Sequence, residues 1–316
     1  MALDLSVFDD YTQSSLMRES ILTAKSVFSY TEVELRNKAN LTASAARRVF
    51  IEASKIGLLK YNRLKFNDEI ITTGSKDIDD MLGGGLFQCG ITEISGESGC
   101  GKTQFCLQVA LTVQLPLSLG GAKSGAAYIC TEDRFPSSRI QQMISNIYSK
   151  YQSNNRSDSL EMSQINYGDN ILINHVATVE DLKKCVHSML PKVLNHKSIK
   201  LIVIDSITAV FRGEYAQNEA QRRSKDLRDV AFWLNNLSVK FGLWILCVNQ
   251  VTSSLSENDG RNLVPSLGLS WANLVTTRLM MSKTVNFRYI ELMFSPHAGP
   301  KRIPFTVTQR GIETEN

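Results

Sequence analysis

At 316 residues, the chain is long enough for one large domain and a small one. With 43% hydrophobic and 21% charged residues it has the balance of an ordinary globular protein, and a net charge of +4 permits a nucleic-acid partner without arguing for one, because that case needs clustered charge. No apolar run approaches the ~20 residues that span a bilayer. The acidic start Met1-Ala2-Leu3-Asp4-Leu5 also lacks the basic and then apolar pattern of a secretory signal, so a soluble cytosolic or nuclear protein with no membrane partner is expected.

Residues 1–58 read as a separate small helical unit. Leu16, Ile21 and Leu22 begin one helical pattern; Thr31 is a candidate N-cap for a second, with Val33 and Leu35; Leu41, Ala45, Val49 and Phe50 mark a third, with Arg47 and Arg48 on its far side. The tight turn Asn37-Lys38-Ala39-Asn40-Leu41-Thr42 between the last two suits a helix-hairpin-helix, which holds a DNA phosphate against backbone amides. Glycine usually supplies the left-handed residue there; here Asn40 would take it. A plain docking domain is the alternative.

Residues 59–72 carry Lys60, Arg63 and Lys65 without clear periodicity and read as a linker, with the core occupying residues 73–316. Gly83-Gly84-Gly85 makes a turn before Ile91–Ile94, a short strand. The next stretch, Gly96-Glu97-Ser98-Gly99-Cys100-Gly101-Lys102-Thr103, has the form Gly-x-x-x-x-Gly-Lys-Thr, and a helical stripe of Phe105, Val109 and Ala110 follows it. Lying between a strand and a helix, it is a phosphate-cradling loop. Its glycines let successive N–H groups converge on phosphate oxygens at the positive end of a helix dipole. Lys102 would pair with the β- and γ-phosphates of a nucleoside triphosphate, and the Thr103 hydroxyl would ligate Mg2+.

Strands and helices then alternate. Gly125–Cys130, Ile171–Asn174, Leu201–Ile204 and Leu243–Val248 are strands, and Leu227, Val230, Leu234, Leu237 and Phe241 form a long helical stripe; later strand-like runs are Val275–Met281, Tyr289–Phe294 and Ile303–Val307. Apolar strands alternating with helices predict an α/β fold with a mainly parallel sheet covered on both faces. Ligands then bind at the carboxyl ends of the strands, where Glu132, Asp205 and Gln250 also fall.

Asp205 closes an apolar strand and fits the acidic partner of Mg2+, the alternative being a helix cap before Ser206. Glu132 would polarise the attacking water or be a solvated loop acid. Gln250 would sense the γ-phosphate or be an ordinary amide at a strand end. The six cysteines (Cys89, Cys100, Cys106, Cys130, Cys185, Cys247) show no paired short spacing and read as reduced, mostly buried thiols.

The order Thr73-Gly74-Ser75, Gly90-Ile91-Thr92-Glu93, Gly101-Lys102-Thr103-Gln104, Tyr128-Ile129-Cys130-Thr131-Glu132, Leu201–Ser206 and Asn249-Gln250-Val251 resembles the RecA-like recombinases of eukaryotes and archaea. Within them, Glu97–Gln104, Thr131-Glu132-Asp133, Arg222-Arg223-Ser224 and Val264–Asn273 resemble a recombinase paralogue. The resemblance implies a RecA-like ATPase core binding ATP and Mg2+, with Glu132 as catalytic glutamate acting beside Lys102, and Gln250 as sensor. It implies that Gln104 joins the nucleotide-binding loop, that Arg139 stacks on adenine, and that Pro296, in Ser295-Pro296-His297, caps a neighbouring subunit's nucleotide. Two loops, residues 213–224 and 251–268, would face single-stranded or branched DNA, with Arg212, Arg222, Arg223 and Lys225 on phosphates. A nuclear location also follows from it.

Phe66-Asn67-Asp68-Glu69 stands where strand-exchanging members carry a Phe-x-x-Ala plug, and the second loop lacks their glycine pair. Both departures point to an accessory ATPase of homologous recombination and double-strand break repair. It would work in a complex with a sister recombinase paralogue and support the main recombinase filament. An autonomous filament-forming recombinase and a scaffold with a structural, slowly hydrolysed nucleotide are the alternatives.

Overall fold

The computed structural model describes residues 3–30, 32–63, 69–88, 90–151, 156–215, 219–255, 261–285 and 287–314. The chain divides into two compact units, Met1–Asn67 and Asp68–Asn316.

The first unit holds helices α1 (Asp10–Arg18), α2 (Ala24–Val27), α3 (Glu32–Lys38) and α4 (Ala43–Arg63). Asp9 caps α1 by accepting the Thr12 N–H at 2.9 Å, and Thr23 and Ser26 form a capping box at α2. Leu16, Ile21, Val27, Leu35, Leu41 and Val49 make the core. Ile21 and Leu22 lie beyond the end of α1 rather than on it, and Leu22 is exposed. Helix α3 ends in the left-handed turn expected of Asn40, whose φ is 51°. The Leu41 N–H reaches back to the Arg36 carbonyl at 2.9 Å, satisfying an end carbonyl that would otherwise be orphaned. Thr31 lies outside the described residues.

Helix α4 continues into the stretch expected as a linker, as far as Arg63. Residues 64–68, and with them most of the Phe66–Glu69 tetrapeptide, lie outside the described residues.

The second unit opens with strands β1 (Ile70–Ile71) and β2 (Leu86–Phe87), paired antiparallel, with α5 (Lys76–Leu82) between them. There follow β3 (Ile91–Gly96), α6 (Lys102–Thr112), β4 (Gly125–Cys130), α7 (Ser137–Ser145), α8 (Ile147–Lys150), α9 (Arg156–Ser163) and β5 (Ile171–His175). Next come α10 (Val179–Lys184), a π-helical turn (Cys185–Met189), α11 (Leu190–Leu194), β6 (Ile199–Asp205), α12 (Ile207–Arg212) and α13 (Ala220–Phe241). The chain closes with β7 (Trp244–Leu255), β8 (Arg261–Pro265), α14 (Gly268–Ala272), β9 (Thr277–Lys283), β10 (Arg288–Phe294), β11 (Lys301–Thr308) and β12 (Gly311–Glu313).

Among the described residues ten strands form one sheet, nine of them in the order β12-β11-β10-β9-β3-β7-β6-β4-β5, with β8 paired to β7. From β9 to β5 neighbours are parallel; from β9 to β12 they are antiparallel. The parallel centre needs cover on both faces. Phe105 and Val109 of α6 supply it on one side, while Leu227, Val230, Leu234 and Leu237 of α13 pack with Ile202, Ile204 and Ile245 on the other. Each such side chain contributes about 1.5–3 kcal/mol by leaving water.

Two expected loops have regular structure. Helix α13 begins at Ala220, so Arg222, Arg223 and Lys225 ride its first turns. In the second stretch β7 runs on to Leu255 and pairs antiparallel with β8, Val251 facing Pro265 and Leu255 facing Arg261. Residues 256–260 lie outside the described residues.

At the other end of the sheet, Phe294 of β10 faces Arg278 of β9, itself beside Glu93 of β3. The chain therefore leaves β10 at the amino ends of the parallel strands. There the His297 ring stacks on Phe87, with centroids 3.6 Å apart and planes within 7°. Among the described residues, no helix is long and apolar enough to cross a membrane.

Candidate functional site

Strand β3 delivers the chain into the phosphate-type loop at the carboxyl edge of the sheet, and α6 starts at Lys102, aiming its free N–H groups at the loop. Glycine is required at Gly96, where a Cβ would sit 2.2 Å from the Met281 carbonyl oxygen. Gly99 takes the left-handed region at φ 74°, and its Cβ position faces open space. Lys102 Nζ donates to the Gly96 carbonyl at 2.7 Å and to the Glu97 carbonyl at 2.6 Å, so the ammonium is held inside the loop. Cys100 is buried, and burial pushes its thiol up.

A cavity of about 910 Å3 opens over the loop. It brings together Gly96, Glu97, Ser98, Gly99, Gly101, Lys102, Thr103 and Gln104 with Glu132, Arg139, Arg212, Asp205 and Gln250. Cys100 and Pro296 do not line it. Pro296, at the amino ends of the strands, is far from this chain's own loop in the sheet register.

The Thr103 hydroxyl donates to Asp205 Oδ2 at 2.8 Å, and the Tyr128 hydroxyl donates to the same oxygen at 2.8 Å. One hydroxyl and one carboxylate oxygen beside a phosphate loop is a hard-oxygen donor set; it fits Mg2+, which takes one or two protein ligands and fills its shell with phosphate and water. Burial, with the Asp205 charge adding to it, holds the Tyr128 phenol well above its usual range, so it stays a donor. The same two causes, in the same order, push Cys130 up to about 11. The Thr131 hydroxyl donates to the Ser206 carbonyl at 2.6 Å and accepts the Ser206 N–H at 2.8 Å, tying the ends of β4 and β6 together.

Glu132 stands exposed just past β4, and the Gln250 amide donates to its Oε2 at 2.9 Å. Arg139, on α7, donates through Nε to Gln104 Oε1 at 2.6 Å and through Nη2 to the Thr308 carbonyl at 2.6 Å. Those bonds fix the guanidinium at the cavity wall, and partial burial lowers its pKa somewhat.

A second cavity, of about 330 Å3, lies between α12, the start of α13 and the base of the β7–β8 hairpin. Arg212 and Arg223 line it, while Arg222 is exposed and paired with Glu219 at 3.0 Å, and Lys225 is exposed on the next turn. Arg223 Nε and Ser266 Oγ are buried there and, among the described residues, have no hydrogen-bond partner.

Sequence reasoning passed over three residues. Tyr128 carried a weak signal, as an aromatic with a polar tip in an apolar strand. Arg288, at the wall of the larger cavity, has a buried Nε without a hydrogen-bond partner among the described residues; it carried no signal. Glu93 reads as the polar half of an alternating strand, yet it is fully buried and ion-paired to Arg278.

A family model described as Rad51 matches residues 67–315. The chain is 37% identical over 256 residues to DNA repair protein XRCC3 of Bos taurus and 36% over 264 to that of Mus musculus, covering in each case 77% of this chain and 74% of the relative. It is 32% identical over 288 residues to the DNA repair protein XRCC3 homolog of Arabidopsis thaliana, covering 77% of this chain and 92% of that protein.

Proposed function

The chain belongs to the Rad51 family as a paralogue similar to XRCC3, and on that premise we propose that it is an ATP-binding, DNA-dependent ATPase subunit that assists homologous recombination and double-strand break repair in the nucleus. The observation that carries the reading is the single cavity uniting the phosphate loop, the Thr103–Asp205 pair, the Glu132–Gln250 pair and Arg139.

In that cavity the loop amides and the α6 N-terminus hold the phosphate oxygens, and Lys102 exchanges its two carbonyl partners for the β- and γ-phosphates. Thr103 and Asp205 hold Mg2+, which when bound neutralises charge on the phosphate oxygens. Glu132 accepts a proton from a water that attacks the γ-phosphorus in line; the bond from phosphorus to the β-phosphate bridging oxygen breaks, leaving ADP and inorganic phosphate. Gln250 trades its bond to Glu132 for one to the γ-phosphate and so reports the state of the nucleotide to the hairpin beyond it. Arg139 stacks on adenine.

Arg212, Arg222, Arg223 and Lys225 engage the phosphates of single-stranded or branched DNA. The two unpartnered groups in the smaller cavity, Arg223 Nε and Ser266 Oγ, are both able to donate to a phosphate oxygen. Pro296 caps the nucleotide of a neighbouring subunit, which makes a sister recombinase paralogue part of the working site, and the complex supports the main recombinase filament.

The test is nucleotide binding and ATP turnover by the purified chain, with and without single-stranded DNA and with and without a sister paralogue, using Glu132→Gln as control. We expect tight ATP binding, slow turnover alone, and faster turnover with DNA once the paralogue is present. Absence of ATP binding would overturn the reading, while binding with no turnover under any condition would favour a scaffold with a structural nucleotide.

A further inference from the structure

Glu93 is a charged residue with 0% exposure, in the strand that feeds the phosphate loop yet outside the nucleotide cavity. Its carboxylate has three donors from three elements. Asn249 Nδ2 on β7 lies at 2.5 Å and Trp271 Nε1 on α14 at 3.0 Å, both on Oε1, and Arg278 Nε on β9 donates to Oε2. Burying a carboxylate is tolerable only when such donors satisfy it, and the arrangement is correspondingly intolerant of small shifts.

The network does not stop at Asn249. Its Oδ1 accepts from the Thr208 hydroxyl at 2.5 Å, and the same hydroxyl accepts the main-chain N–H of Gln250 at 3.0 Å. Gln250 in turn bonds Glu132. A continuous hydrogen-bonded line therefore runs from the indole of Trp271, through Glu93, Asn249 and Thr208, to the residue read above as the γ-phosphate sensor.

The other end of the line is equally specific. Helix α14 follows the β7–β8 hairpin directly, the Ser266 N–H bonds the Gln250 carbonyl at 2.9 Å, and the Arg223 guanidinium reaches the Ser266 carbonyl at 3.4 Å. Ser270 on α14 and Ser224 on α13 share a hydrogen bond at 3.1 Å. So α14 follows the hairpin directly and bonds α13, the helix that carries Arg222, Arg223 and Lys225.

We infer that Glu93 and Trp271 are positioning residues that couple the nucleotide state at Gln250 to the setting of α14 and the β7–β8 hairpin. The inference rests on the reading of Gln250 as sensor. When Gln250 moves toward a γ-phosphate, its N–H pulls on Thr208 and Asn249, and the carboxylate, fully buried and held by three donors, transmits the shift. By linkage, DNA held on the hairpin biases Gln250 to the same degree.

Hydrogen exchange on the full chain, with and without the slowly hydrolysed analogue ATPγS and Mg2+, tests this. In the wild type the analogue should slow exchange over β8 and α14 by about fivefold or more, the lower end of ordinary coupling between sites. Trp271→Phe removes the indole N–H and leaves a smaller aromatic ring; it should bind ATPγS within about twofold of wild type while that slowing disappears. Thr208→Val breaks the line at its other end and should uncouple in the same way, which decides the matter should Trp271→Phe lower the melting temperature sharply. A wild type whose α14 ignores bound ATPγS overturns the inference, as does a pair of variants that respond like wild type. Failure of the wild type to bind ATPγS, read directly from the titration, would sink the nucleotide reading itself and the coupling with it.

Discussion

The side-chain amide of Gln250 donates to Glu132 across 2.9 Å, joining the end of β7 to the residue just past β4 at the mouth of the larger cavity. The bond holds the carboxylate in one place before any nucleotide arrives. Replacing Glu132 with Gln should leave ATP affinity within a few-fold, yet cut turnover by about 10²–10⁴, the range for losing a general base. Single-turnover hydrolysis beside a fluorescent-nucleotide titration separates the two effects.

Tyr128 and Thr103 converge on one oxygen of Asp205. Tyr128→Phe removes a bond to a charged group, worth about 1.5–3 kcal/mol, and frees the carboxylate to rotate. The Mg2+ concentration needed for half-maximal nucleotide binding should rise several-fold, while affinity in excess Mg2+ stays near wild type. An unchanged Mg2+ requirement would show that Thr103 alone fixes Asp205.

Arg139 reaches Gln104 and the Thr308 carbonyl from the cavity wall. If its plane serves adenine, Arg139→Ala should weaken ATP binding by roughly tenfold, the scale of a stacked or cation–π contact of about 1–2 kcal/mol. Arg139→Lys, which keeps the charge and loses the plane, should be nearly as weak. Competition by ADP against inorganic triphosphate distinguishes a base contact from a phosphate contact.

Lys150 donates to Gln108 Oε1 at 2.7 Å and to the Arg310 and Ile312 carbonyls, and burial lowers its pKa from 10.5 to about 8. A lysine depressed on folding binds fewer protons folded than unfolded between those two values, so its burden on stability is full below pH 8 and is relieved as pH rises toward 10.5. Lys150→Met removes the titration. Wild type should therefore gain stability relative to the variant between about pH 8 and 10.5, measured as the difference in melting temperature.

Asn40 holds φ 51° at the end of α3 while its side-chain amide donates to the Tyr11 hydroxyl at 3.1 Å. Asn40→Ala should destabilise the first unit by about 1 kcal/mol, because it keeps a Cβ in the left-handed region but loses the side-chain amide that bonds Tyr11. Asn40→Gly should stay within about 1 kcal/mol of wild type, because it relieves the Cβ but loosens the unfolded chain. Hydrogen exchange of α3 and α4 in the full chain reads both.

What the sequence disclosed and what it withheld divide along physical lines. Asp205 was legible because a buried parallel strand is a run of apolar residues, and the first charge after Ile204 marks the carboxyl edge. The resemblance implied a loop over residues 251–268; the pairing of Val251 with Pro265 depends on two segments meeting, which the composition of neither discloses. Glu93 was hidden for a related reason. Alternation in Ile91–Ile94 suggests one wet face, but helices cover both sides of β3, and the partners that make its charge tolerable stand more than 150 positions away along the chain.

The stack of His297 on Phe87 pins the Pro296 segment to the edge of the sheet opposite the phosphate loop. On the proposed capping arrangement, each protomer thus carries a donor end and an acceptor end, and a contact between unlike ends does not close on itself as a twofold dimer does. A row of such protomers has a direction. It seals one nucleotide fewer than it has members, and its two termini are chemically different: one offers an uncovered triphosphate, the other an unused lid. Which terminus this chain occupies next to a sister paralogue decides whether its own nucleotide or its partner's is the one that turns over.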